Sequence, residues 1–78
     1  MHIHLKNIGP AIRKRRELLG LLQPDLAAIS GVSTRTIQLI ELGQGNPSLE
    51  TLIKLIDPLG LELTLSIKQP ETPPINEL

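Results

Sequence analysis

Residues 23 to 42 hold the strongest local constraint in this 78-residue chain, two short helical runs hinged at one glycine, Gly31. The pattern is positional. Ala27 stands four residues before the glycine, Val32 directly after it, and Ile37 and Ile40 six and nine after it. A small residue at 27 lets the second predicted helix cross the first closely. Glycine can take the left-handed backbone that ends one helix and turns the chain. Val32, Ile37 and Ile40 then fall on one side of the next helix and pin it to the body. Ser33, Thr34, Arg35 and Gln38 are left facing outward, all able to hydrogen-bond base edges or phosphates.

The flanking segments extend this helical reading. A first helix is expected from about Ile8 to Leu19, capped by Asn7, with Pro10 in its first turn and Gly20 as its stop. Its expected buried stripe is Ile8, Ala11, Ile12, Leu18 and Leu19. Arg13 and Lys14 point outward. Arg15 lies at the core's edge with its stem covered and its head in water. The second helix covers about 23–30. It starts after Leu22 where a serine or threonine would cap better, and Asp25 in the first turn recovers part of that loss. The third covers about 34–42, capped by Ser33 and stopped by Gly43. After the punctuated loop Gly43 to Pro47, a fourth helix starts at Ser48 with the stripe Leu49, Leu52, Ile53, Ile56 and Leu59, and Pro58 ends or kinks it.

Two segments break the helical period. Residues 1–6 alternate apolar and polar, as a short strand or a frayed end would. Leu61, Leu63, Leu65 and Ile67 alternate with Glu62, Thr64 and Ser66, the pattern of a half-buried strand. A lone apolar strand on a helical domain lacks a partner. Pairing with its own copy across a two-fold axis supplies one, and centring on Leu65 sets Glu62 opposite Lys68. The chain therefore divides into an N-terminal segment 1–7, a helical domain 8–60, a dimerisation strand 61–68 and a Pro-rich tail 69–78. The tail reads as a flexible end, or alternatively as a partner-binding segment with Ile75 and Leu78 as apolar anchors.

Composition narrows the function classes. There is no Phe, Tyr or Trp, and 26 of the 78 residues are Leu or Ile, so the core is aliphatic and small. Without cysteine there is neither disulfide nor thiolate metal site. His2 and His4 lack a third ligand of suitable type nearby, so no metal and no cofactor is expected. No apolar run approaches the ~18 residues of a membrane span, and no signal peptide is evident. A bacterial cytoplasmic location fits. The formal charge is zero, but it is split. Residues 1–38 carry six basic side chains against two acidic ones, a net +4, and residues 39–78 the reverse, a net −4. The hinged pair of helices lies in the basic half, as phosphate contact requires. No nucleophile–base set and no phosphate-binding glycine loop is present, which argues against an enzyme. Without aromatic rings, base stacking on RNA is also disfavoured.

Arg16, Gly20, Gln23, Leu26, Ala27, the run Gly31-Val32-Ser33, Ile37, Glu41 and Gly43 resemble the Xre/Cro/lambda-repressor type of helix-turn-helix domain over about residues 8–60. Gly45 to Leu52, with Leu59 to Leu63 and the terminal strand, is similar to one branch, the HipB-like antitoxins. Leu22 and Pro58 depart from the usual residues of that pattern. The resemblance implies a mainly α fold, a four- to five-helix lambda-repressor-like domain plus one C-terminal β-strand pairing across a homodimer. It further implies a repressor of a palindromic double-stranded operator that binds a HipA-like serine/threonine kinase toxin and represses its own operon. A stand-alone Xre-family regulator without a toxin is the alternative. By position, Gln23 would bond a backbone phosphate, and Ser33, Thr34, Arg35 and Gln38 would face bases. Ser33 reads equally as a plain helix cap. Asn46 would contact phosphate, Arg16 and Glu41 would form a structural ion pair, and Leu61, Leu63, Leu65 and Ile67 would dimerise.

Overall fold

The computed structural model describes residues 5–64, with side chains from residue 7 onward. Four α-helices and one 3-10 turn follow each other along the chain: α1 Leu5–Leu18, α2 Gln23–Ser30, α3 Thr34–Glu41, α4 Leu49–Ile56 and the 3-10 turn Asp57–Leu59. They enclose one aliphatic core of Ile12, Leu26, Val32, Ile37, Ile40, Leu52, Leu55, Ile56 and Leu59, every one buried. Ile8, Leu21, Ala27 and Leu61 close its margins. The expected segments 1–4 and 65–78, including His2, His4, Leu65, Ile67 and the Pro-rich tail, lie outside the described residues.

Local chemistry sets most of the boundaries. α2 occupies the range its sequence predicts. Leu22 has no side-chain acceptor to cap it, and the Leu22 N–H instead donates to Asp25 Oδ2 at 2.8 Å, so Asp25 acts by a direct hydrogen bond at the helix start. α3 is capped by Ser33, whose Oγ accepts from the Thr36 N–H at 3.1 Å. Ser48 does the same for α4 through the Thr51 N–H. α3 ends one residue earlier than predicted, at Glu41. There Gly43, at φ 77°, donates to the Ile40 carbonyl and the Gln44 N–H reaches back to the Leu39 carbonyl at 2.8 Å. Pro58 sits in the 3-10 turn that follows α4, and the turn closes with the Gly60 N–H on the Asp57 carbonyl.

Several expectations are corrected. α1 starts at Leu5, so Asn7 lies inside the helix and Pro10 is internal to it rather than in the first turn. Proline removes its own bond to the carbonyl four residues back and crowds that carbonyl, yet the helix runs through it from Leu5 to Leu18. The inner face of α1 is also different. Ile12 and Arg16 are buried and Ile8 half-buried, while Ala11, Leu18 and Leu19 are exposed. Arg15 is half-buried at the core's edge, and part of its head is engaged by the protein. Its Nε donates to the Leu59 carbonyl at 2.8 Å, tying α1 to the end of the 3-10 turn. In α4 the buried stripe is Leu52, Leu55, Ile56 and, beyond the helix, Leu59, while Leu49 and Ile53 are exposed. Among the described residues no strand forms. Residues 61–64 are irregular, with Leu61 half-buried and Leu63 exposed.

Gly9 is buried, and a Cβ built there would collide with the Ile40 carbonyl of α3. α1 and α3 therefore meet backbone to backbone, and any side chain at position 9 forces them apart. Gly9→Ala is expected to destabilise the fold by ~1–3 kcal/mol, as overpacking does. Urea denaturation followed by circular dichroism measures this. A midpoint unchanged from the parent would show that the two helices yield freely.

Candidate nucleic-acid interface

The outward face is set by the hinge. Gly31 has φ 77°, and its N–H donates to the Ala27 carbonyl at 2.9 Å, ending α2 in the left-handed conformation. The Val32 N–H then meets Ser30 Oγ at 3.1 Å, and Val32 drops into the core. Ser33 starts the next helix. With Ile37 and Ile40 buried beneath it, α3 presents Arg35 and Gln38 to solvent with Thr34 half-exposed beside them. Among the described residues, neither the Arg35 guanidinium nor the Gln38 amide has a side-chain hydrogen-bond or ion-pair partner. These groups are presented without being used by the fold.

Other predicted residues are placed differently. The Ser33 hydroxyl is committed: it accepts from the Thr36 N–H and donates to Thr36 Oγ1 at 2.9 Å. Its first role in the structure is to start the helix. Gln23 opens α2, but its Nε2 donates to Glu41 Oε1 at 3.0 Å. One amide hydrogen is thereby spent inside the protein, and one hydrogen and the carbonyl oxygen of the side chain remain. Asn46 is exposed on the loop after α3. That loop and α3 frame a shallow, mostly apolar cavity of about 150 Å³ lined by Thr36, Leu39, Ile40 and residues 44–47. Thr36 and Gln44 on this rim were missed by spacing arguments, because the loop's path back over α3 is not written in either segment alone. On α1, Lys14 is exposed, and Arg13 is exposed but paired with Glu17 at 3.2 Å.

Behind this face lies a buried charge network. Arg16 and Glu41 are 6% and 5% exposed. Arg16 Nε donates to Glu41 Oε2 at 2.7 Å and its Nη2 to Oε1 at 3.0 Å, a two-pronged contact that matches the planar fork to the carboxylate. Its remaining Nη1 donates to the Leu21 carbonyl at 2.7 Å. With Gln23 also on Glu41, α1, the α1–α2 turn, the start of α2 and the end of α3 are joined through the Arg16–Glu41 pair. The Arg16 pKa is raised above its ordinary value. The hydrogen bonds to Glu41 are the largest cause; burial opposes them, and the charges of Glu41 and Glu17 add to them. Among the described residues no group of three or more His, Asp or Glu side chains is placed to hold a metal ion. No helix there is long and apolar enough to cross a membrane.

A family model described as helix-turn-helix matches residues 12–65, and the chain belongs to the helix-turn-helix family. It is similar to a Haemophilus influenzae protein named an uncharacterized HTH-type transcriptional regulator, at 50% identity over 50 residues. The aligned stretch is 64% of this chain and 51% of that protein, so the chain spans about half the length of the curated relative it matches.

Removing one partner of a buried ion pair strands the other charge, at a cost of ~3–5 kcal/mol. Glu41→Gln is therefore expected to unfold most of the protein at room temperature, seen as loss of helical circular dichroism. A denaturation midpoint close to that of the parent would show that the network is not what holds α3 in place.

Proposed function

We propose that the chain is a DNA-binding transcriptional regulator that reads a double-stranded operator through α3. The observation that carries this reading is the pair Arg35 and Gln38, displayed on a rigidly capped helix whose opposite side is pinned in the core. A guanidinium fork suits the O6/N7 edge of guanine, and an amide suits adenine. Thr34 adds a hydroxyl beside them. Gln23 and Asn46 act at the edge of the groove, where the amide hydrogens left on each reach phosphate, while Ser33, its hydroxyl hydrogen given to Thr36 Oγ1, keeps only an acceptor lone pair toward the bases. The basic N-terminal half supplies the general attraction to the duplex.

The regulator acts as a homodimer on a palindromic site with half-sites ~34 Å apart, one helical turn. Residues 61–64 are irregular in the single chain, and in this reading the strand carrying Leu61, Leu63, Leu65 and Ile67 forms on pairing between copies. A bacterial cytoplasmic setting and the absence of any enzymatic step belong to the same reading. The run Gly45 to Leu52, followed by Leu59 to Leu63, supports a finer assignment, that of an antitoxin restraining a HipA-like serine/threonine kinase and repressing their shared operon. A stand-alone regulator of the same fold is the second reading, in line with the Haemophilus relative's name as a transcriptional regulator.

Arg35→Ala is expected to weaken binding to the promoter of its own operon by ~1–3 kcal/mol and to relax preference at one base pair. Because Arg35 is exposed and unpaired within the described residues, its thermal midpoint should match the parent's. A gel-shift titration at fixed salt reads the first, and circular dichroism the second. Equal affinities of parent and variant for the operator would remove α3 as the reading element. For the antitoxin assignment, co-expression with the neighbouring reading frame and affinity capture should recover a kinase-like protein in stoichiometric amount. Recovery of the regulator alone points to the second reading.

A further inference from the structure

α4 carries apolar side chains on two faces, and only one of them is covered by the fold. Leu52, Leu55 and Ile56 face the core, whereas Leu49 and Ile53 are 64% and 47% exposed. Ile29, near the end of α2, is 58% exposed and lines the same open groove as Ile53 and Pro58. The groove measures about 380 Å³ and is bordered by Lys54 and Asp57. None of its lining residues belongs to α3 or to the loop that follows it. Glu50 lies on the same edge of α4 and holds Lys54 at 3.6 Å in an exposed i,i+4 pair.

We propose that this α2–α4 groove is a contact surface for a second copy of the chain, with the α4 helices antiparallel about a two-fold axis. The inference rests on the dimeric reading above and adds a surface to it. Charge favours this occupant over an unrelated partner. A two-fold axis that brings residue 52 level with itself sets Lys54 of each copy beside Glu50 of the other. The two exposed intrachain pairs, one in each copy, are thereby exchanged for two interchain pairs, and both signs are satisfied by one sequence. Size favours it as well. Nine buried aliphatic residues without an aromatic make a small core, and covering Leu49, Ile53 and Ile29 adds the apolar burial such a core lacks. The contact leaves the α3 face open to DNA.

Sedimentation equilibrium of the full chain tests this with three variants. Ile53→Glu should raise the dimer dissociation constant by at least about tenfold, the range of a central interface residue, with the helical circular dichroism of the parent retained. Lys54→Glu should weaken the dimer too, and Lys54→Glu combined with Glu50→Lys should restore it. A parent that is dimeric together with an Ile53→Glu variant of equal dimer affinity overturns the groove while leaving the operator reading and the strand pairing standing. A parent that stays monomeric at every concentration overturns the groove and the dimeric reading together. Loss of dimer in Lys54→Glu without recovery in the double variant overturns the antiparallel arrangement.

Discussion

The two-pronged contact between Arg16 and Glu41 is the interaction on which the rest of the molecule's geometry depends. Glu41 is the last residue of α3, and both its oxygens are occupied, one by Arg16 and the other by Arg16 and Gln23. The end of the outward-facing helix is thus fixed to α1 and to the start of α2 at once. The Leu21 carbonyl accepts from the third guanidinium nitrogen of Arg16, so the turn between α1 and α2 is held by the same side chain. A buried pair of this kind adds little net stability over a hydrophobic substitute. Its value here is geometric: hydrogen-bond directions tolerate far less slippage than a contact between leucines.

That fixed end cooperates with the cap at the other end. Ser33 binds both the Thr36 N–H and its hydroxyl, and Gly31 forces the chain to turn just before it. A helix of eight residues has little stability of its own. α3 holds its shape because its start is capped, its end is anchored and Ile37 and Ile40 are buried beneath it. Arg35 and Gln38 can then stay unpartnered on its surface without loosening the fold.

How much of this was legible in the sequence depended on whether the signal was local. The α2 range, the Gly31 hinge and the Ser33 and Ser48 caps follow from side chains acting on backbone within a few residues, and they read directly. The α4 face did not. Five of its eight residues are apolar, so Leu49, Leu52, Ile53 and Ile56 satisfy the helical period as well as Leu52, Leu55, Ile56 and Leu59 do. Leu59, in the 3-10 turn, belongs to the expected and the observed stripe alike, and only the packing of α4 against α2 and that turn decides between Leu49 with Ile53 and Leu55. The Arg15 bond was not legible because its acceptor, the Leu59 carbonyl, is a backbone group 44 residues away. Gly9 carried no visible signal beyond being a poor helix former in a helix. At the site, the outward position of Arg35 and Gln38 followed from the period of α3, but the engagement of Gln23 with Glu41 needed the fold.

The close approach at Gly9 has a consequence for how the molecule tolerates change. Side chains possess rotamers and can be swapped, shortened or repacked, whereas a peptide backbone offers no such slack. The gap between α1 and α3 is gauged by glycine against a carbonyl group. Aliphatic residues elsewhere in the core can therefore be exchanged over many substitutions while that spacing holds, because none of them serves as the ruler.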